Sequence, residues 1–392
     1  MHRRQFLTAG GAALCALGAP GSPGLLAARA PYATVAARGR EAPVHRMTLI
    51  LIELNGGNDA LNTVIPYEDL RYRQLRPTIG IAREQVIPLN GRTGLHPSLA
   101  VLKSWWDDAS LAIVQGVGYP RPNLSHYRSR EIWETASAAH EYRRDDWLAR
   151  AFAPSTVQPP SPVRSPLPAQ LSLLGERLPG PGERPPGPRE RPPGLGRARG
   201  QGQRLSTQDL SSDHGARDYR FATRFARNAF GVAISRAMQQ LALARHDSTH
   251  VPPVIRLTLN GFDTHHNQLA RHAVLLTQLA DGMVALRGAL TELGRWESAL
   301  IMTYAEFGRR ADENADGGTE HGTVAAHFVA GARVRGGFYG VAPQLNQLDG
   351  DGHLPLGIDF RSLYATVLQQ GWGIEVGPVL GARFDTLPGL LR

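Results

Sequence analysis

Cysteine is almost missing: Cys15 is the only one in 392 residues, and it falls in an N-terminal apolar stretch. Removal of that stretch would exclude disulfides, cysteine–zinc sites and a cysteine nucleophile together. Lysine is equally scarce, with Lys103 alone, so arginine carries almost all the positive charge. The net charge of +9 is itself missing from the body of the chain. Residues 1–40 hold five Arg and no acid, and residues 157–204 hold eight Arg against three Glu, which leaves the remainder near −1. A near-neutral body offers no basic stripe to a phosphate backbone, which argues against a nucleic-acid partner. The N-terminal apolar run, Ala9 to Ala19, falls short of the roughly 20 residues that span a bilayer, so no stable span is expected in the mature protein.

What the N-terminus does have is Arg3-Arg4-Gln5-Phe6-Leu7 ahead of a short Ala/Gly/Leu segment. That pattern resembles a twin-arginine export signal, placed at residues 1–37. It implies the twin-arginine export machinery as a partner and a periplasmic or otherwise exported location. A segment at about 158–204 is rich in Pro, Gly and Arg, with GERPPGPRERPPG at its centre. Its low complexity and few apolar residues predict poor packing, apart from a candidate edge strand over Leu167–Leu174. It is read as an interruption inside one α/β domain covering 45–392.

Within that domain, apolar runs of strand length alternate with helical periodicity. Strands are expected at Met47–Leu54, Leu111–Val117, Val254–Leu259 and Ala299–Met302, with another over His327–Val329. Leu269, Leu276, Leu279, Met283, Leu286 and Leu290 recur at helical spacing, and a further helix is expected within Ala216–Ala244. Each strand runs into a polar loop, and α/β folds place ligands beyond the carboxyl ends of their strands. The first loop, Asn55-Gly56-Gly57-Asn58-Asp59, offers Asp59 either as a site residue or as the cap of the next element. The second, Pro120-Arg121-Pro122-Asn123-Leu124-Ser125-His126, offers Ser125 as a nucleophile or as a helix cap. No Ser–His dyad follows from the adjacency of Ser125 and His126. The third, Gly261-Phe262-Asp263-Thr264-His265-His266, groups an Asp with His in a way that suits a divalent cation. The last two are Glu306-Phe307-Gly308-Arg309-Arg310 and Thr319-Glu320-His321-Gly322. Arg309 is a candidate for an anionic substrate group. His272 and His327 are read as structural.

The motifs GGNDALN, PxNxSHY, GFDTHHNQ, EFGRR and GTEHG, in that order from about Met47 to the C-terminus, resemble the exported bacterial family called domain of unknown function 1501. That family looks like part of the alkaline phosphatase/sulfatase superfamily. The resemblance implies a three-layer α/β sandwich, alkaline-phosphatase-like, with a central and mostly parallel sheet. It also implies Asp59, Asp263, His265, Glu306 and His321 as ligands of a divalent metal (Zn, Mn, Mg or Ca), with Ser125 as nucleophile and Arg309 beside the transferring group. The chain departs from the superfamily pattern in three places. Glu306-Phe307 stands where an Asp-His pair is usual, the Asp263–His265 spacing is short, and the sulfatase signature is missing. The function expected is metal-dependent hydrolysis of a phosphate or sulfate ester, or of a related small anionic substrate. The alternative is a non-catalytic binding or assembly protein that acts with another exported protein and keeps a degenerate site.

Overall fold

The computed structural model describes residues 47–153, 171–173, 219–244 and 253–392. The expected signal at 1–37 lies outside the described residues, as does most of 158–204.

The fold is built on one eight-stranded sheet. Its strands are β1 (Thr48–Asn55), β2 (Leu111–Gly118), β3 (Leu171–Leu173), β4 (Val254–Asn260), β5 (Ala299–Tyr304), β6 (Ala325–Ala330), β7 (Gly337–Gly340) and β8 (Ile358–Asp359). They lie in the order β7-β2-β6-β5-β1-β4-β3, with β8 added beside β2. β1 pairs in parallel with both β4 and β5. β6 alone is reversed, antiparallel to β2 on one side and β5 on the other. The sheet is therefore mostly parallel. β3 closes the edge beside β4 within the stretch expected to hold an edge strand.

The unbroken apolar character of β1 follows from burial on both faces. Ile50, Ile52 and Leu54 point into one core, shared with α2 (Ala229–Leu243) and α3 (Gln268–Glu292). Met47, Leu49 and Leu51 point into the other, shared with α1 (His126–Thr135) and α4 (Phe360–Thr366). That second core stacks aromatic rings: Trp133 lies 4.2 Å from Phe360, and Trp147 lies 4.2 Å from Tyr364. Helices on both faces make the three layers.

α2 begins later than the periodicity suggested. Asn228 caps it by accepting a hydrogen bond from the Gly231 amide at 2.8 Å, and Phe221 and Phe225 pack on the core from the irregular segment before it. α3 is the one helix among the described residues that is long and apolar enough to cross a membrane. Here Leu276, Leu279, Met283, Leu286 and Leu290 are spent on the core.

Because β1, β2, β4 and β5 run the same way, their carboxyl ends share one rim. The reversed β6 starts at that rim, so the chain that feeds it arrives there too. Four loops meet as a result, the last of them running from the end of β5 to the start of β6.

Candidate metal centre

Two glycines make the close approach of these loops possible. Gly56 has φ +120, and a Cβ there would lie 2.7 Å from the Phe262 carbonyl carbon and closer still to the Asp263 amide nitrogen. Gly57 has φ +83 and faces the Phe307 ring, 2.6 Å from where a Cβ would sit. Both φ values disfavour any side chain. Gly56→Ala is therefore expected to push the first and third loops apart, costing stability and cation affinity together. Thermal unfolding with and without added cation would show it, and a variant equal to the parent in both would refute the close-approach argument.

Asp263 is the hub of the rim. His126 Nε2 lies 3.4 Å from its Oδ2, and His265 Nε2 and His321 Nε2 lie 3.0 and 3.1 Å from its Oδ1. The His265 and His321 Nε2 atoms are 3.0 Å apart. One ligand atom each from His126, Asp263 and His321 falls within 4.8 Å of the others.

The other nitrogen of every ring is already committed. His126 Nδ1 donates to Glu306 Oε1 at 2.8 Å, His321 Nδ1 to the Leu124 carbonyl at 2.9 Å, and His265 Nδ1 faces Glu320 Oε2 at 3.1 Å. A carbonyl or an ionised carboxylate brings no proton, so each Nδ1 carries one, and Nε2 is the atom left on the Asp263 side to hold either a proton or a cation. An imidazole fixed by a second acceptor behind it is the usual way a metal-binding histidine is oriented. Two lone pairs 3.0 Å apart repel unless a proton or a cation stands between them.

The donor set of His126, Asp263 and His321 fits a cation, with one ligand atom of each within 4.8 Å of the others. Two imidazoles and a carboxylate suit zinc or a similar borderline ion better than magnesium or calcium, which prefer oxygen shells.

Electrostatics agree. Burial alone would raise the Asp263 carboxyl, but hydrogen bonds from His126, His321 and Arg309 outweigh it and hold the group well below the ordinary range. The bonds to Asp263 and then Glu306 raise His126 to about 9. Beneath them, burial and then the charge of Glu306 push Glu53 up to about 7.

The residues expected from the sequence divide. Asp263, His265 and His321 come together at the rim. Glu306 is there as well, but it stands behind His126 and is wholly buried, with Oε1 also accepting from the Gly56 amide at 3.0 Å. Asp59 stands apart from the donors as the alternative cap. Its Oδ1 accepts from the Leu61 amide at 3.0 Å, while Arg76 and Gln268 each bond its Oδ2 at 2.5 Å. Ser125 is exposed at the N-cap of α1, with no capping bond from its hydroxyl.

Arg309, expected to meet substrate, has a fully buried side chain. Its guanidinium bonds the carbonyls of Gly56, Gly57, Phe262 and Thr319 and Asp263 Oδ1 at 2.7 Å. It ties the loops together and leaves no exposed edge for an anion.

His126 is the functional residue that the sequence reading passed over. Its signal lay in α1: His126, Ser129 and Trp133 fall at i, i+3 and i+7, on one helical face. Ser129 Oγ and Trp133 Nε1 both donate to the Glu306 carbonyl, the latter at 3.0 Å, which pins this face to the end of β5.

Residues 203–380 match the model of a family described as "Protein of unknown function (DUF1501)". Over that stretch the match supports this domain family. It takes in Asp263, His265, Glu306, Arg309 and His321, while His126 lies before it. None of the curated proteins matches the sequence. Among solved structures, the chain is similar to "Crystal structure of Ps i-CgsB in complex with k-i-k-neocarrahexaose", with 12% identity, a TM-score of 0.34, and coverage of 87% of this chain and 73% of that one. It is also similar to "Crystal structure of the C-terminal periplasmic domain of EcEptC from Escherichia coli- complex with Zn", with 8% identity, a TM-score of 0.32, and coverage of 73% and 74%. Likeness at this level leaves the reading of the site to its own geometry.

Proposed function

We propose that the protein is an exported, divalent-cation-dependent hydrolase acting on phosphate or sulfate esters or a related anion, within the domain-of-unknown-function-1501 family along its whole body. The observation that carries the metal reading is the convergence of three imidazole Nε2 atoms on Asp263 with every Nδ1 held from behind. The ester class and the alkaline-phosphatase-like ancestry rest on the motif resemblance.

His126, His321 and Asp263 would hold the cation, with His265 Nε2 beside Asp263 and His321. When bound, it supplies Lewis acidity toward an ester oxygen and offsets charge developing there. Ser125 is the proposed nucleophile. It sits next to Leu124, whose carbonyl holds His321, and its own amide donates to Asn123 Oδ1 at 2.9 Å, which fixes the loop beside the donors. Arg309 acts by positioning Asp263 and not by touching substrate.

A second reading has a specific observation in its favour. Only three side chains converge as donors among the described residues, Glu306 is turned behind His126 and Phe307 offers no donor, so the ligand set is smaller than the one the resemblance implies. On that reading the protein binds a cation and serves assembly with another exported protein.

The test is metal analysis of the purified protein together with turnover of aryl phosphates and sulfates. The hydrolase reading expects bound cation, turnover, and a Ser125→Ala variant that keeps the cation and loses turnover by at least about 100-fold. Bound cation with no turnover on any ester selects the binding protein, and no bound cation rejects both.

A further inference from the structure

We infer that this centre takes one cation and not two, and that the buried guanidinium of Arg309 provides the second positive charge; the inference rests on the metal reading above.

Donors are the first ground. Every neighbouring carboxylate outside the three proposed ligands is already bonded. Asp59 holds Arg76, Gln268 and the Leu61 amide. Glu306 holds His126 and the Gly56 amide, and Glu320 faces His265 and accepts from Asn314 Nδ2 at 2.9 Å. Among the described residues, one group of three or more metal-capable side chains converges, and it is His126, Asp263 and His321.

Space is the second. The Phe307 ring, 3% exposed, lies against His321 at 4.3 Å and His126 at 4.8 Å between ring centres. It offers no donor and walls off that side of the cluster, with Gly57 fitted against its other edge.

Charge is the third. Asp263, Glu306 and Glu320 bring three formal negative charges to the cluster, and Arg309 with one dication balances them. A second dication would leave a buried excess of positive charge beside a guanidinium that sits 2.7 Å from the shared carboxylate. Five loop contacts hold that guanidinium, so it cannot swing away as a surface arginine would.

The experiment loads the full chain with Zn2+ and separately with Mn2+, then measures bound ion per chain by elemental analysis and by calorimetric titration. One ion per chain in a single transition is expected, lost whole in His321→Ala. Two ions per chain in the parent would overturn the inference and leave the metal reading standing, whereas none would overturn both. Phe307→His adds a donor on the walled side and leaves Arg309 in place. It is expected to remain at one ion, and uptake of a second would overturn the role given to the guanidinium.

Discussion

Asp263→Ala is expected to lower cation affinity by more than about 100-fold, beyond the 10–100-fold that loss of an outer contact costs. The reason is that all three Nε2 atoms aim at this one carboxylate. Without it, three imidazoles and a guanidinium face one another with no anion among them. The buried Arg309 would also lose its only carboxylate, so the variant should be less stable even without metal. Asp263→Asn keeps an acceptor for Arg309 and separates the two effects, with stability largely restored and affinity still low. Glu306→Gln should fall in the 10–100-fold range, since it acts on the cation through His126. Competition against a chromophoric chelator measures each value. If Asp263→Ala bound within tenfold of the parent, the carboxylate would not be a ligand.

Acid should unfold this protein early. Burial holds three histidines neutral: His96 is pushed down to about 4, and His272 and His327 to about 3. In the unfolded chain a histidine takes its proton near 6.5. Between that value and the folded ones the unfolded state binds more protons, so stability is complete above about 6.5, is lost as pH falls from there to 3–4, and levels off below. At pH 4 the loss is about 3 kcal/mol per residue, on the order of 10 kcal/mol for the three. That matches the whole stability of an ordinary domain, about 5–15 kcal/mol. His327 isolates the effect, because neither ring nitrogen has a hydrogen-bond partner and it sits edge-on to Trp133 at 5.5 Å. His327→Leu should move the acid midpoint, followed by circular dichroism, to lower pH. An unchanged midpoint would show that this ring does not contribute.

Much of the rim was legible because strand ends announce themselves. An apolar run stopping at Asn55-Gly56-Gly57 or Asn260-Gly261 gives a turn and a direction, and the parallel order then puts Asp263 and His321 on one edge. Side-chain roles were not legible from the loops alone. Arg309 reads as a surface cation beside Arg310, and only the meeting of four carbonyls from distant segments shows why it is buried. Asp59 had two readings until Arg76, from a helix end 17 residues on, placed a guanidinium against it. His126 was hidden because a first helical residue shows its facing only when the whole helix is docked. Glu306, expected as a ligand, stands behind His126, and its depth depended on packing that no local pattern encodes.

The three proposed donors come from three well-separated parts of the chain, and each is oriented by yet another segment. A denatured polypeptide keeps no such arrangement and has little hold on the ion. Whatever free ion surrounds the protein must therefore weigh on the native side alone, adding about 2.7 kcal/mol once its concentration is a hundred times the dissociation constant. On the metal reading, the melting temperature of this protein would be a gauge of the dissolved metal around it.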